Sequence, residues 1–310
     1  MKRYKVGIVG CGRQFLHHIQ ALERIDHVDI VALCDHNPKR LLRAQTLYGG
    51  KTYTNYQAMI AKQRIDCIHL CVPEQEQFVM IEYFSSFGIH IVIEAPTYNQ
   101  SYLYEEALKL SQKYNNPIAF VNPDFYRNTY QKMYQLVCEK TLGSVKHIRV
   151  VVGSETTEQL YREGSQVLDL LLSLVEDEIT KYDGTFKQRR ASEVDMVECW
   201  FEYKNRIQIS MYGSVYCYRQ MPIEIWIEFD LGTVNIMGSE FEIKRHDNMI
   251  FRQNFAKSML LESIDIDPKQ GAYQNMMDAL YTGTYDIKNQ NIQRIKTQSI
   301  LKQIFKEEPL

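Results

Sequence analysis

Over the first 121 residues, unbroken apolar runs alternate with stretches in which apolar residues recur every three or four positions. The runs at 4–9, 28–34, 67–72, 89–93 and 118–121 predict strands; the periodic stretches at 13–24, 38–48, 75–87 and 103–114 predict helices. Strands apolar on both faces, each followed by a helix, build a doubly wound parallel sheet covered on both sides. From about residue 143 the period changes. Strand-like segments follow one another at 146–152, 194–203, 206–212, 223–230, 233–237 and 241–245. In one of them Ile223, Ile225, Ile227 and Phe229 alternate with Glu224, Trp226, Glu228 and Asp230, and Tyr203-Lys-Asn-Arg206 has the chemistry of a tight hairpin turn. This is the pattern of an antiparallel sheet with one face packed on helices and the other partly open. Helices at 165–176, 272–280 and 291–305 are assigned to the same layer. The expected fold is α/β, with a parallel-sheet domain over 1–121 and an α+β domain with a large, mostly antiparallel sheet over 122–310.

Composition narrows the function classes. The chain has 310 residues, 45% hydrophobic and 24% charged, enough for two domains with buried cores. A formal net charge of -2 and the lack of any dense Lys/Arg run give no expectation of a nucleic-acid partner. The longest apolar run, Leu170-Leu-Leu-Ser-Leu-Val175, is too short to span a bilayer and reads as a buried helix. Residues 1–10 pass directly into a strand pattern without a leader-like apolar region, so a cytoplasmic protein is expected, with no membrane association. Seven cysteines are scattered without a C-x-x-C pair or zinc-ligand spacing; they read as reduced, buried thiols, and no metal is expected.

The turn after the first strand carries the first candidate chemistry. Gly10-Cys-Gly12 lies between strand and helix, where glycines let the backbone approach a pyrophosphate at a helix N-terminus, with Arg13 and Gln14 opening that helix. The third glycine of G-x-G-x-x-G is replaced by Phe15, which loosens the match. Asp35 ends the second strand roughly 20 residues on, where an acid takes a ribose 2′-hydroxyl. That is the signature of a Rossmann domain, and an acid there favours NAD; His36 and Arg40 beside it keep NADP open. The alternative for Asp35 is a cap on the helix that begins at Pro38.

With these elements in place, the sequence resembles the glucose–fructose oxidoreductase / inositol dehydrogenase family (Gfo/Idh/MocA). The resemblance rests on Gly10-Cys-Gly-Arg-Gln-Phe-Leu-His-His18, Asp35-His-Asn-Pro-Lys-Arg40, Cys71-Val-Pro73, Gly88-Ile-His-Ile-Val-Ile-Glu-Ala-Pro96, Leu142-Gly-Ser-Val-Lys146 and Gly164-Ser-Gln-Val-Leu-Asp-Leu170. It implies a two-domain fold, a nicotinamide cofactor with Cys71, Pro73, Glu94 and Pro96 near it, and a sugar, polyol or similar cyclic substrate. The departures bear on the chemistry. The lysine of the family's E-K-P is Ala95, the second-domain histidine falls at Ser173, and the third-strand asparagine and histidine fall at Glu74 and Gln77. Oxidising an alcohol needs a base for the hydroxyl proton, and neither alanine nor an unaided serine is one.

Several polar groups remain as candidates. On the helix from Gly164, Gln166, Asp169 and Ser173 form a polar stripe on an otherwise apolar surface, with Asp169 at the position of the family's helix aspartate. That stripe lines a substrate cleft, or else Asp169 is paired internally as structure. In Asn122-Pro-Asp-Phe-Tyr-Arg127, Tyr126 is a candidate proton donor and Arg127 a candidate for an anionic or carbonyl oxygen; the alternative is a helix start capped by Asp124. Tyr161, Arg162 and Glu163, just before the polar-stripe helix, are further candidates. The sequence thus supports an NAD(P)-dependent oxidoreductase with altered catalytic residues, acting on a small cyclic, sugar-like, C=N or C=C substrate. A catalytically silent dinucleotide- or metabolite-binding protein on the same fold is the alternative. Trp200 and Trp226, among Glu198, Glu224 and Glu228, mark the open sheet face as the contact of a homodimer or homotetramer.

Overall fold

Six short apolar strands assemble first into a parallel sheet: β1 (Tyr4–Val9), β2 (Val28–Cys34), β3 (Lys51–Tyr53), β4 (Cys67–Leu70), β5 (His90–Glu94) and β6 (Ile118–Val121), in the order β3-β2-β1-β4-β5-β6. The computed structural model describes residues 3–94, 102–175, 177–190, 193–216, 223–255, 268–287, 291, 295–297 and 299–300. The chain winds outward from β1 to β3 and returns to β4. The topological switch point therefore lies beside the end of β1, where such sheets open a crevice for ligands. Helices α1 (Arg13–Leu22), α2 (Pro38–Tyr48), α3 (Tyr56–Lys62), α4 (Glu74–Ser86) and α5 (Tyr102–Tyr114) connect the strands. α1 buries Phe15, His18, Ile19 and Leu22 on one face. The three-residue β3 and the short α3 lay outside the expected elements; β3 is only half-covered and carries no apolar run.

The second sheet has eight strands: β7 (Val145–Gly153), β8 (Ile179–Arg190), β9 (Glu193–Tyr203), β10 (Gln208–Ser214), β11 (Ile223–Phe229), β12 (Gly232–Met237), β13 (Glu240–Arg245) and β14 (Ile250–Asn254). Their order is β14-β13-β12-β11-β7-β10-β9-β8; β7 and β10 pair in parallel and every other neighbouring pair is antiparallel. The two strands not anticipated, β8 and β14, are the two edges of this sheet. Edge strands need no apolar alternation and are commonly charged, which is why their sequences give so little signal. Helix α6 (Asn128–Glu139) precedes β7. Helix α7 (Thr157–Ser173) packs Leu168 and Leu171 into a core with Ile148, Val150, Ile209, Ile225 and Ile227 from the inner sheet face. It begins eight residues before the expected 165, because the Thr156 hydroxyl accepts from the Gln159 amide and starts the helix there. Tyr161, Arg162 and Glu163 are thus helical residues, not a preceding loop.

The chain divides into two compact units, the first built on β1–β6 together with Tyr273–Ile292, the second taking Asp124–Ala272. Helix α8 (Pro268–Thr282) and the residues after it were expected to belong with the antiparallel sheet. Polar groups bind them to the parallel one: Tyr281 Oη lies 2.8 Å from His69 Nε2, Tyr285 donates to the Phe120 carbonyl at 2.8 Å, and the Asn291 amide donates to the Ile118 carbonyl at 2.8 Å. Asn291 so satisfies part of the free edge of β6, an edge that otherwise exposes unpaired backbone groups. The helix expected at 291–305 lies largely outside the described residues. Among those described, no helix is long and apolar enough to cross a membrane.

Candidate functional site

The β1–α1 turn holds its glycines for two different reasons. Gly10 has φ +93°, and a Cβ there would lie 2.4 Å from the Cys71 carbonyl oxygen; only glycine fits. Gly12 caps the start of α1 with φ -86°, and a Cβ there would meet nothing within 4 Å. No side chain caps this helix, so its first amides stay available to an anion. Arg13 and Gln14 follow on the exposed side.

Asp35 is almost fully buried, and both of its oxygens are held by backbone: Oδ2 accepts from Cys11 N and Oδ1 from Asn37 N, each at 2.7 Å. The α2 cap is Asn37, which accepts from the Lys39 and Arg40 amides at 3.0 and 3.3 Å. The reading of Asp35 as that cap is therefore excluded. Each Asp35 oxygen keeps a second lone pair, enough to accept the two hydroxyls of a ribose. His36 and Arg40 are exposed next to it. Open space at Gly12, uncapped amides and a fixed carboxylate at the switch point together fit a dinucleotide.

Cys71 and Pro73 follow β4, the first buried and the second exposed at the start of α4. Gln77, at the position of the family histidine, is buried and donates to the Val72 carbonyl at 3.0 Å, so its amide supports the loop. Glu94 ends β5; its Oε2 accepts from Gln14 at 2.8 Å, and its Oε1 takes the Tyr273 hydroxyl and lies 3.3 Å from His18 Nε2. Ala95 and Pro96 lie outside the described residues. Behind Glu94, His18 Nδ1 and His69 Nδ1 are 2.9 Å apart, and both rings are fully buried. Burial works against the His18 cation, but the Cys71 sulfur and Glu94 more than offset it and hold its pKa above the ordinary value. Burial, then the nearby His18 charge, push His69 well below its own. The Cys11 and Cys34 thiols are pushed up to about 12 by burial first and Asp35 second, and stay protonated at neutral pH.

In the second unit Asp169 is buried and its Oδ1 accepts from the Thr297 hydroxyl at 3.3 Å. Ser173 donates to the Leu170 carbonyl within its own helix at 2.6 Å, while Gln166 is half-buried. Tyr126 closes a 3-10 turn (Pro123–Tyr126), and the Arg127 guanidinium binds Asp124 at 2.5 Å. Asp124 is thus an ion-pair partner and not the cap of α6, which no side chain caps. Glu163 accepts from Ser154 and Gln159 at 3.1 and 2.7 Å. No group of three or more metal-ligating side chains gathers among the described residues.

The glycine turn, the buried Asp35 carboxylate and the switch point give the first unit the form of a dinucleotide-binding Rossmann domain. Residues 4–122 match the Gfo/Idh/MocA family model, described as "Oxidoreductase family, NAD-binding Rossmann fold", so this part of the chain is similar to that family. Among curated relatives, D-apiose dehydrogenase of Paraburkholderia graminis is 28% identical over 97 residues, 31% of this chain and 26% of that one. A 4-carboxy-2-hydroxymuconate-6-semialdehyde dehydrogenase of Sphingobium is 24% identical over 110 residues, 35% of each chain. The chain thus spans about a third or less of the length of these relatives. The fold match is wider. An oxidoreductase from Agrobacterium radiobacter, solved with NAD+, L-tartaric acid and magnesium, has TM-score 0.82 at 14% identity, covering 98% of this chain and 96% of that one. The WlbA dehydrogenase from Bordetella pertussis, solved with NADH and UDP-GlcNAcA, has TM-score 0.79 at 18% identity, covering 98% and 95%.

Sequence reasoning missed His69, Tyr273 and Tyr281. His69 does leave a trace, a lone polar residue inside the apolar run Cys67-Ile-His-Leu-Cys71.

Proposed function

We propose that the chain is an NAD-dependent oxidoreductase acting on a small cyclic, sugar-like, C=N or C=C substrate. The observation that carries this reading is the Asp35 carboxylate, fixed by the Cys11 and Asn37 amides beside the open space at Gly12. The nicotinamide, when bound, supplies or accepts the hydride. The chain's own residues then divide the remaining work. The α1 amides and Gly12 receive the pyrophosphate, with Gln14, Cys71, Pro73 and Glu94 near the dinucleotide. Asp35 holds the ribose and disfavours a 2′-phosphate, and His36 and Arg40, exposed beside it, are the side chains that a 2′-phosphate would recruit. Tyr126 and Asp169 handle the substrate proton, and Arg127, Gln166 and Ser173 contribute to the substrate side. With alanine in place of the lysine, reduction of C=N or C=C suits the chain best, because the accompanying proton can come from a phenol or from water.

NADH titrated calorimetrically into the purified protein is expected to bind at least ~10-fold more tightly than NADPH, and Asp35→Ser to narrow that ratio. Nicotinamide absorbance scanned against imines, conjugated alkenes, ketones and sugars then tests turnover. Preference for NADPH would overturn the role given to Asp35. A second reading, a silent dinucleotide-binding protein, is favoured by Ser173, whose hydroxyl is engaged by its own helix. NADH binding without turnover on any of the four substrate classes would favour it.

The open face of the second sheet supports self-association. Trp200, Ser210, Arg149, Trp226 and Asn235 lie side by side across five strands, and Trp200 is 39% exposed. The protein is proposed to act in the cytoplasm as a homodimer or homotetramer through this face, in keeping with six unpaired cysteines among the described residues. Light scattering is expected to give a dimer or tetramer that Trp200→Glu with Trp226→Glu reduces to monomer; a monomeric parent protein would rule the assembly out.

A further inference from the structure

Behind the nucleotide cradle lies a run of acid–base groups that the scheme above leaves unused. His18 of α1 and His69 of β4 are both completely buried, with their Nδ1 atoms 2.9 Å apart. A contact that short needs one nitrogen to donate and the other to accept. On the outer side His18 Nε2 faces Glu94 Oε1 at 3.3 Å, and on the inner side His69 Nε2 faces the Tyr281 hydroxyl at 2.8 Å. Glu94, on the other hand, takes donors at both oxygens, Tyr273 at Oε1 and Gln14 at Oε2, the bonding pattern of an anion. Its side chain is 18% exposed, whereas both histidines and Tyr281 are buried, so the run opens toward the sheet's C-terminal edge.

The proton count follows from those contacts. A carboxylate only accepts, so His18 carries a proton on Nε2. If His18 is the imidazolium, its Nδ1–H donates to a bare His69 Nδ1 and His69 Nε2–H donates to Tyr281, whose hydroxyl is left for the Cys67 sulfur. Passing the Nε2 proton to Glu94 turns the carboxylate into an acid and His18 into its neutral Nδ1–H form, and no contact in the run is broken. One proton can therefore move between His18 and Glu94 while every buried partner stays bonded. A buried polar network is tolerable only when each member is satisfied, and this one is satisfied in both states.

We propose that His18 and His69 form a buried proton store in the nucleotide-binding unit, with Glu94 as its port to the cofactor edge of the sheet. The store is defined by the unit's own side chains; its use in catalysis rests on the oxidoreductase reading, where it would replenish the proton that the absent lysine cannot. His69 is a positioning residue, the acceptor that lets His18 stay doubly protonated inside an apolar sheet. The other titratable groups facing the run are Cys71 beside His18, Cys67 and Tyr4 beside Tyr281, and His17 stacked on Tyr273 at 4.8 Å. Of these groups Glu94 is the carboxylate that faces His18 directly, at 3.3 Å, and accepts donors at both of its oxygens.

Imidazole nitrogen resonances of 15N-labelled protein, without cofactor, decide the matter. His18 is expected to show two protonated nitrogens at pH 7.5, and His69 a protonated Nε2 with a bare Nδ1. Glu94→Gln removes the counter-charge and is expected to lower the His18 proton affinity about a hundred-fold; His69→Gln, which keeps an acceptor for His18, is expected to preserve it. A singly protonated His18 at pH 7.5, or a His18 titration indifferent to Glu94→Gln, overturns the store. The wild-type spectrum decides even if a variant fails to fold. The two readings fail separately: the expected resonances in a protein that turns over nothing would leave the store and sink the oxidoreductase. Neutral imidazoles in an active enzyme would do the reverse.

Discussion

Gly12→Ala is expected to leave the melting temperature within ~1 °C of the parent while weakening NADH binding a hundred-fold or more, about 2.7 kcal/mol. Gly10→Ala, two residues away, is expected to do the opposite kind of damage and lower the melting temperature by about 10 °C or more. The difference lies in what each missing Cβ would meet. At Gly10 the methyl would stand 2.4 Å from the Cys71 carbonyl oxygen and 2.6 Å from its carbon, backbone atoms fixed by the pairing of β1 with β4. The φ of +93° adds strain of its own for any L side chain. No rotamer change relieves either problem. At Gly12 the methyl would enter open space at a φ that every residue adopts, so the free protein does not feel it. In the proposed reading that space is where the backbone comes close to the pyrophosphate, and a methyl there would displace the ligand. Thermal scans paired with NADH calorimetry on both variants test the assignment. If Gly12→Ala bound NADH as well as the parent, the pyrophosphate seat would have to be sought elsewhere. If Gly10→Ala melted with the parent, the close approach of the Cys71 carbonyl would be wrong.

What could be read in advance, and what could not, follows from the range of the interactions. Strands β1, β2, β4, β5 and β6 are buried on both faces, so each is an apolar run that stands out, and the helices between them show one apolar stripe. The closeness of the glycine turn and Asp35 was legible for the same reason, since a turn after one strand and an acid after the next are fixed relative to each other by the βαβ unit. The edge strands β8 and β14 escaped because an edge need not be apolar. The attachment of the segment after Tyr273 to the parallel sheet escaped because single side chains make it, at Tyr281, Tyr285 and Asn291, and not a periodic face. The proton store is less legible still. His18 and His69 are 51 positions apart, His69 and Tyr281 are 212 apart, and nothing local in any of the three announces the others. The catalytic candidates stand between these extremes. The position of Asp169 was readable from its helix, but its engagement with Thr297 was not.

Folding stability is expected to peak near pH 6.5 and to fall on both sides, each limb governed by one member of the buried pair. His18 is held above its unfolded value of about 6.5, so the native state binds more protons than the unfolded chain as pH rises beyond that point. Its contribution is fully present below pH ~6.5 and is lost on the way up through the raised folded value. His69 is held below, so its contribution is present above pH ~6.5 and is lost as pH falls toward the depressed folded value, where the unfolded chain takes up a proton that the native state refuses. Each limb has a limiting slope of about 1.4 kcal/mol per pH unit. The informative quantity is the difference between parent and variant, because surface carboxylates and buried thiols add their own dependence outside pH 5.5–8. Urea midpoints across that range are expected to show a flattened acid limb in His69→Phe and a flattened alkaline limb in His18→Gln. Variant profiles parallel to the parent's would mean that neither imidazole differs between folded and unfolded chain. An exchange of the two limbs would place the charge on His69, and a proton held there would face Tyr281 instead of Glu94 and would have no port.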